Sequence, residues 1–481
     1  MINFPMPARQ AGRHREFPRL IALATPLAAI QIAQMLMGIT DAVMVGHISS
    51  LALAAGGLGS NVAFLLILIA QGLLVSVQPL IAQARGEEAY ALPGEKPAEP
   101  SAVVARRALW GGFFAAFLVT IPIMLILGLL DRLLIAAGEP VEVARLTGLY
   151  ERAFFFGVPA ILTTTVLRLY LAAIERSHVA MIIAWVSCGL NVLLNWAFIY
   201  GHLGFPALGI RGSGFATATT AWCMAGAYIL VIWRGNLLPK GFWHIETAEL
   251  RRGLHAVVKL GWPIAGIYGM EIGLFSISAL LMGVFGPVAL AAHQICLNLV
   301  SLVFMVPSAL SQAATVRVGF HRGGGSMARA RHAGFLALVT AALFMVVMSI
   351  VVAFGNRVVF AFYLDPNDPN YAKVVDIGTK LLSIACLFQV FDGVQSVAAG
   401  ALRGLKDTRI PMLAAGLGYW VLGVPTGAAL AFWVGIGPMG LWWGFVCGLT
   451  TTAVLLSLRF VTLTRRLLQA EQVERGLADA A

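Results

Sequence analysis

The sequence predicts an all-α membrane protein with twelve transmembrane helices in two homologous six-helix lobes. Three observations carry that expectation. Of the 481 residues, 59% are apolar and 11% charged, against roughly 45–50% apolar and about 25% charged in soluble domains. The apolar residues fall into a dozen blocks, each near or above the ~20 residues that one bilayer-spanning helix needs. The chain also repeats itself at a fixed offset of 237 positions, which lays Pro26 on Pro263. An ordinary cytosolic enzyme, a disordered chain and a secreted disulfide scaffold are excluded by the same composition.

In chain order, residues 1–19 form a basic arm with Arg9, Arg13, Arg15 and Arg19. The apolar run that follows is too long for the core of a cleaved signal and reads as the first span. Spans are expected near 20–46, 53–83, 106–130, 146–171, 179–200 and 212–233, which make up the N-lobe at 20–233. A cytoplasmic linker, 234–255, joins it to the C-lobe at 256–463. The C-lobe spans lie near 256–284, 290–318, 333–355, 373–402, 410–433 and 438–463, and 464–481 is a cytoplasmic tail.

Charge placement orients the chain. The net charge is +11, spread among the even-numbered gaps through Arg85, Lys96, Arg176, Arg234, Arg251, Arg317, Arg322 and Lys406. The odd-numbered gaps are nearly neutral or acidic, as at Asp365 and Asp368. By the positive-inside rule both termini are cytoplasmic. Basic loops facing anionic lipid explain the charge, and nucleic acid is not expected as a partner because no single basic patch exists. The five cysteines all lie in apolar runs without CxxC spacing, so free thiols are expected.

At the 237-residue offset Leu20–Gly86 overlies Val257–Gly323 without a gap. Gly46 meets Gly283, Asn61 meets Asn298, and Arg85-Gly86 meets Arg322-Gly323. An even number of spans per repeat gives both lobes the same orientation, a plan common among secondary transporters. Pro26 and Pro263 each remove a helical hydrogen bond and should bend the first helix of each lobe, and Pro425 is placed to do the same.

Ionisable residues inside spans carry the chemistry, because each costs about 2.5–3.5 kcal/mol even on the insertion scale. Glu271 in span seven, Asp392 in span ten and Asp41 late in span one stand out. The basic residues read on the same spans, Lys259 and Lys380, are a dozen positions away, roughly 18 Å along a helix. Unpaired acids in hydrocarbon hold protons or share a cation, so these three are expected to bind a coupling cation. Gln34 lies on the face of Asp41, Asn191 and Asn195 share one face of span five, and Gln71 and Gln78 share one face of span two. Asn298, Tyr268, Phe275 and Phe388 are further candidates to line a cation or substrate pathway, with Phe154–Phe156 and Met305 as lipophilic lining. No nucleotide-binding, zinc-protease or hydrolase motif occurs, so no enzyme and no cofactor is expected. Transport must then be passive or driven by an ion gradient.

These residues resemble the multidrug and toxic compound extrusion (MATE) transporters, in the bacterial NorM-like branch. The stretches that carry the likeness are Asp41–Gly46 with Ala52–Ala55, Gly261-Trp-Pro263 leading to Glu271, and Gln395 with Ala398–Gly404 after Asp392. The resemblance implies a monomer in the bacterial inner membrane that exports cationic, lipophilic compounds in exchange for sodium or protons. It implies a C-lobe cation site at Glu271 and Asp392, with sodium bound there if sodium is the ion. It also implies an N-lobe site at Asp41 with Asn191 and Asn195. Branch members often carry a tyrosine where this chain has Phe388, which leaves sodium and proton both open. A lipid-linked precursor flippase of related architecture is the alternative, although Arg168 is the only arginine well inside a span.

Overall fold

The computed structural model describes residues 16–91, 97, 99–363 and 369–479. The N-terminal arginines Arg9, Arg13 and Arg15, Lys96, and the acidic Asp365 and Asp368 lie outside the described residues. Among the described residues the chain is almost wholly helical and has no strand. Its helices are α1 (Glu16–Gly46), α2 (Ser50–Leu74), α3 (Val77–Tyr90), α4 (Ser101–Gly128), α5 (Leu130–Ala136), α6 (Val141–Phe154), α7 (Val158–Ala173), α8 (Ser177–Tyr200) and α9 (Ile210–Arg234). Then come α10 (Thr247–Gly283), α11 (Pro287–Gly323), α12 (Met327–Tyr363), α13 (Tyr371–Gly404), α14 (Arg409–Gly416), α15 (Val424–Ala428) and α16 (Pro438–Asp479). Taken with their short continuations, twelve of these are long and apolar enough to cross a membrane.

The repeat is visible in the helix ends. α1 ends at Gly46 and α10 at Gly283, while α2 starts at Ser50 and α11 at Pro287, each pair 237 positions apart. Ser49 caps α2 by accepting from the Ala52 amide at 3.0 Å, a bond that satisfies one orphan donor of the first turn. Its counterpart Gly286 opens α11 at φ 95°, a conformation that a side chain would strain.

Backbone contacts divide the chain into two compact units. Unit 1 comprises Met1–Ala28, Arg85–Glu95 and Gly266–Ala481, and unit 2 comprises Ala29–Ala84 and Lys96–Ala265. The division crosses α1 after Ala28 and α10 after Ala265, again 237 positions apart, and in each helix two residues beyond the proline. The helices run through Pro26 and Pro263 without interruption.

The apolar spans are less regular than their sequence implies. The expected second span is interrupted at Val75–Ser76, so Gln71 and Gln78 lie on successive helices instead of one face. The Ser76 hydroxyl there faces the carbonyls of Leu73 (2.9 Å) and Val257 (3.0 Å). Around Pro425 the chain widens into π-helical Leu417–Gly423 and Ala429–Trp433, the response expected where a proline removes a ladder bond and glycines let helices approach. Gly423 and Gly427 lie against Gly444 of α16, where a Cβ would stand 2.6 Å from the Gly423 carbonyl oxygen and 2.7 Å from the Gly427 Cα.

Unit 1 also buries charge. α11 continues to Gly323, so Arg317, expected in a basic loop, is 1% exposed. Its Nε donates to Glu16 Oε1 at 2.7 Å and its Nη2 to Glu16 Oε2 at 2.9 Å. His321 Nε2 lies 3.1 Å from Glu16 Oε2, Tyr90 Oη 3.0 Å from His321 Nδ1, and Arg329 Nη1 donates to Tyr90 Oη at 3.0 Å. The first turn of α1 is thereby fixed to the ends of α3 and α11.

Candidate functional site

In unit 2 the sequence-predicted residues Asp41, Asn191 and Asn195 come together. α8 presents both asparagines inward, each fully buried. Asn195 Nδ2 donates to Asp41 Oδ1 at 2.5 Å and also lies near the Asn191 carbonyl (3.0 Å) and Oδ1 (3.2 Å). From α9, Thr217 Oγ1 donates to the second Asp41 oxygen at 3.0 Å. Thr217 and the buried Ser213, four residues apart on one face of α9, were not among the expected residues. Their spacing is the same polar i, i+4 signal that marked the asparagines. Asn191 Nδ2, Asn195 Oδ1 and Ser213 Oγ have no hydrogen-bond partner among the described residues. The cluster thus carries one carboxylate and a surplus of neutral oxygens and donors, which suits a proton or a small cation. Gln34 is exposed and stands outside it.

In unit 1, Asp392 is 3% exposed on α13. Gln395 Nε2 donates to its Oδ1 at 3.0 Å, and the buried Tyr419 hydroxyl donates in turn to Gln395 Oε1. Glu271 projects from α10, beyond Pro263, into electrostatic range of Asp392. Tyr419 is in range of both acids. It comes from the π-helical stretch, which no apolar period announces.

The expectation that Glu271 has no basic neighbour is corrected. α13 extends to Gly404 and buries Arg403, 6% exposed, where the sequence suggested a loop. Its Nη1 donates to the Tyr268 hydroxyl at 3.3 Å and its Nη2 to Ser311 Oγ at 2.8 Å. Its guanidinium lies within electrostatic range of Glu271. Gly400, one turn earlier, permits this approach, since a Cβ there would stand 2.5 Å from Ser311 Oγ. Two carboxylates against one guanidinium still leave one negative charge when both acids are ionised.

The remaining expected residues have other surroundings. Phe388 is fully buried in an aromatic cluster, with ring centroids 5.6 Å from Trp442 and 5.8 Å from Phe445. Phe275 is half-buried, 5.1 Å from Phe445, and Asn298 is exposed on α11.

The MatE family profile matches residues 26–197 and again 263–428, two copies whose starts differ by the same 237 positions. The multidrug resistance protein NorM of Burkholderia vietnamiensis is 40% identical over 450 residues, covering 93% of this chain and 94% of the relative. Among solved structures, the eukaryotic MATE transporter AtDTX14 superposes with a TM-score of 0.83 at 22% identity, covering 96% of this chain and 100% of that one. An outward-facing multidrug resistance MATE family transporter of the MOP superfamily gives 0.79 at 19% identity, covering 94% and 97%.

Proposed function

This chain belongs to the MatE family of multi-pass membrane transporters, and from that membership we propose that it is a multidrug efflux antiporter. It exports lipophilic or cationic compounds in exchange for sodium or protons. It resides in the bacterial inner membrane with both termini in the cytoplasm, acts as a monomer and needs no cofactor. The observation that carries the ion coupling is that Glu271 lies in electrostatic range of Asp392, with Arg403 in range of Glu271, in unit 1. A site with one net negative charge in a low-dielectric interior favours one monovalent cation or one proton. Tyr268, held by Arg403, stands beside it. Occupation neutralises the site, and a cationic substrate then loses the charge that attracted it. That competition is the physical basis of exchange. Asp41, with Asn191, Asn195 and Thr217, forms the counterpart in the other lobe, whose neutral partners suit proton exchange. Nothing in the arginine placement favours a flippase for phosphate-bearing lipids, as the buried Arg317 is paired with Glu16 and the buried Arg403 lies in range of Glu271, so neither is left to hold a phosphate.

The test is efflux of a cationic dye from liposomes holding the purified protein, under an imposed pH gradient or an imposed sodium gradient with choline as replacement at fixed pH. One of the two gradients should accelerate efflux. If neither does, the antiport reading fails.

Asp41→Asn keeps the hydrogen-bonding shape of the unit 2 cluster but removes its ionisable group. The variant should stay folded and show a flattened dependence of efflux rate on pH. An unchanged profile would reduce Asp41 to a packing role.

A further inference from the structure

α6 carries a buried acid that none of the steps above uses. Glu151 is 0% exposed, and neither of its carboxylate oxygens has a hydrogen-bond partner among the described residues. Its side chain fills a notch in α2 that exists because residue 59 is glycine. A Cβ at Gly59 would lie 2.7 Å from Glu151 Oε1, with Thr147 and Tyr150 atoms closing the sides at 3.2 Å. The Thr147 hydroxyl, one turn earlier, faces the carbonyls of Ala55 (3.0 Å) and Val143 (2.9 Å) and so offers the acid no proton.

The neighbouring Tyr150 links this acid to the Asp41 cluster. Its ring is in electrostatic range of both Glu151 and Asp41. Its backbone abuts α9 at Gly214, where a Cβ would stand 2.6 Å from the Tyr150 carbonyl. Gly214 follows Ser213, whose buried Oγ is unpartnered, and Thr217 one turn on donates to Asp41.

The other charged groups on the packed elements are accounted for. α2 has none. On α5, Asp131 pairs with Arg152 at 2.5 Å and Arg132 is exposed. Arg106 and Arg107 of α4 are held by Glu249 and Glu99. Arg211, Cys223 and Arg234 of α9 are exposed, as are Glu142 and Arg145 on α6 itself. The buried Tyr228 of α9 donates to the Ala180 carbonyl.

We propose that Glu151 is a second proton-binding carboxyl of this lobe, loaded and unloaded together with Asp41 during transport. A hard metal cation needs several oxygen ligands, whereas Glu151 offers its own two and the adjacent Thr147 hydroxyl already faces the carbonyls of Ala55 and Val143. A proton needs one. Loading forms an O–H bond on one carboxylate oxygen as hydronium reverts to water, and unloading reverses it. The role in transport rests on the antiport reading, whereas proton binding is measurable without any transport.

In the reconstituted full chain, acidification should raise an infrared carboxylic C=O band, and Glu151→Gln should lose a component of it. Glu151→Gln should also narrow the pH range over which efflux rate changes. A lipophilic carbodiimide reacts with protonated carboxyls in apolar surroundings, so in the unaltered protein it should modify Glu151 at low pH and progressively less as pH rises. That reading holds even if the variant does not fold. Absence of modification at every pH, or an identical infrared band in a folded variant, would overturn proton binding at Glu151. A titrating Glu151 with an unchanged efflux profile in the variant would overturn its part in the cycle. Failure of the unaltered protein to respond to any gradient would instead refute antiport and leave the carbodiimide result standing.

Discussion

Gradient-driven efflux falls by about tenfold or more in Glu271→Gln and likewise in Asp392→Asn, the expected effect of losing one charged cation ligand worth at least ~1.5 kcal/mol. The structure supplies the reason. With both acids ionised the site holds two negative charges and the Arg403 guanidinium, a net charge of minus one. Either neutral variant brings that sum to zero, and a cation then has no net attraction to offset its dehydration. Asp392→Asn also weakens the relay from Tyr419 through Gln395, because the amide oxygen that replaces the carboxylate is a weaker acceptor, so its defect should be at least as large. Asn298→Ala, at an exposed position on α11, is expected to have a much smaller effect. Initial rates with and without the ion gradient provide the measurement. Passive dye movement should persist while the gradient-dependent part disappears. Full gradient-driven efflux by the double variant would refute the site.

The largest loss of stability is expected from Glu16→Gln. It removes the carboxylate charge that Arg317, 1% exposed, binds through two nitrogens. Breaking one side of a buried ion pair costs about 3–5 kcal/mol. Thermal unfolding in detergent should show a clear drop in Tm for Glu16→Gln, with much of it recovered in Glu16→Met/Arg317→Met, where both charges of the pair are removed. An unchanged Tm in the single variant would mean that water reaches the pair and screens it.

Several of these features were legible in the residues alone. The carboxylates Asp41, Glu271 and Asp392 announce themselves because an ionisable group in an apolar span is costly and therefore rare. Asn191 and Asn195 follow from the helical period. Glu151 escapes the same logic. It stands beside Arg152 in a span whose edge is drawn by hydropathy, where an acid reads as reaching the interface. Its burial depends on Gly59, in another helix some ninety residues earlier. Arg403 and Arg317 escape for a related reason, since a helix that continues past its apolar core carries cations into contacts that hydropathy assigns to a loop.

Composition, span length and loop charge depend on each segment's own transfer between water and hydrocarbon, so the sequence by itself determined the helical membrane fold, its twelve spans and its twofold repeat. The partners of each acid are a different matter. Whether Asp41 meets Asn195 and Thr217, whether Glu271 shares its surroundings with Arg403, and whether Glu151 has any donor at all depend on which helix faces lie together. Only the tertiary structure decided these, because the cost of a buried charge is set by atoms a few ångströms away that belong to distant parts of the chain.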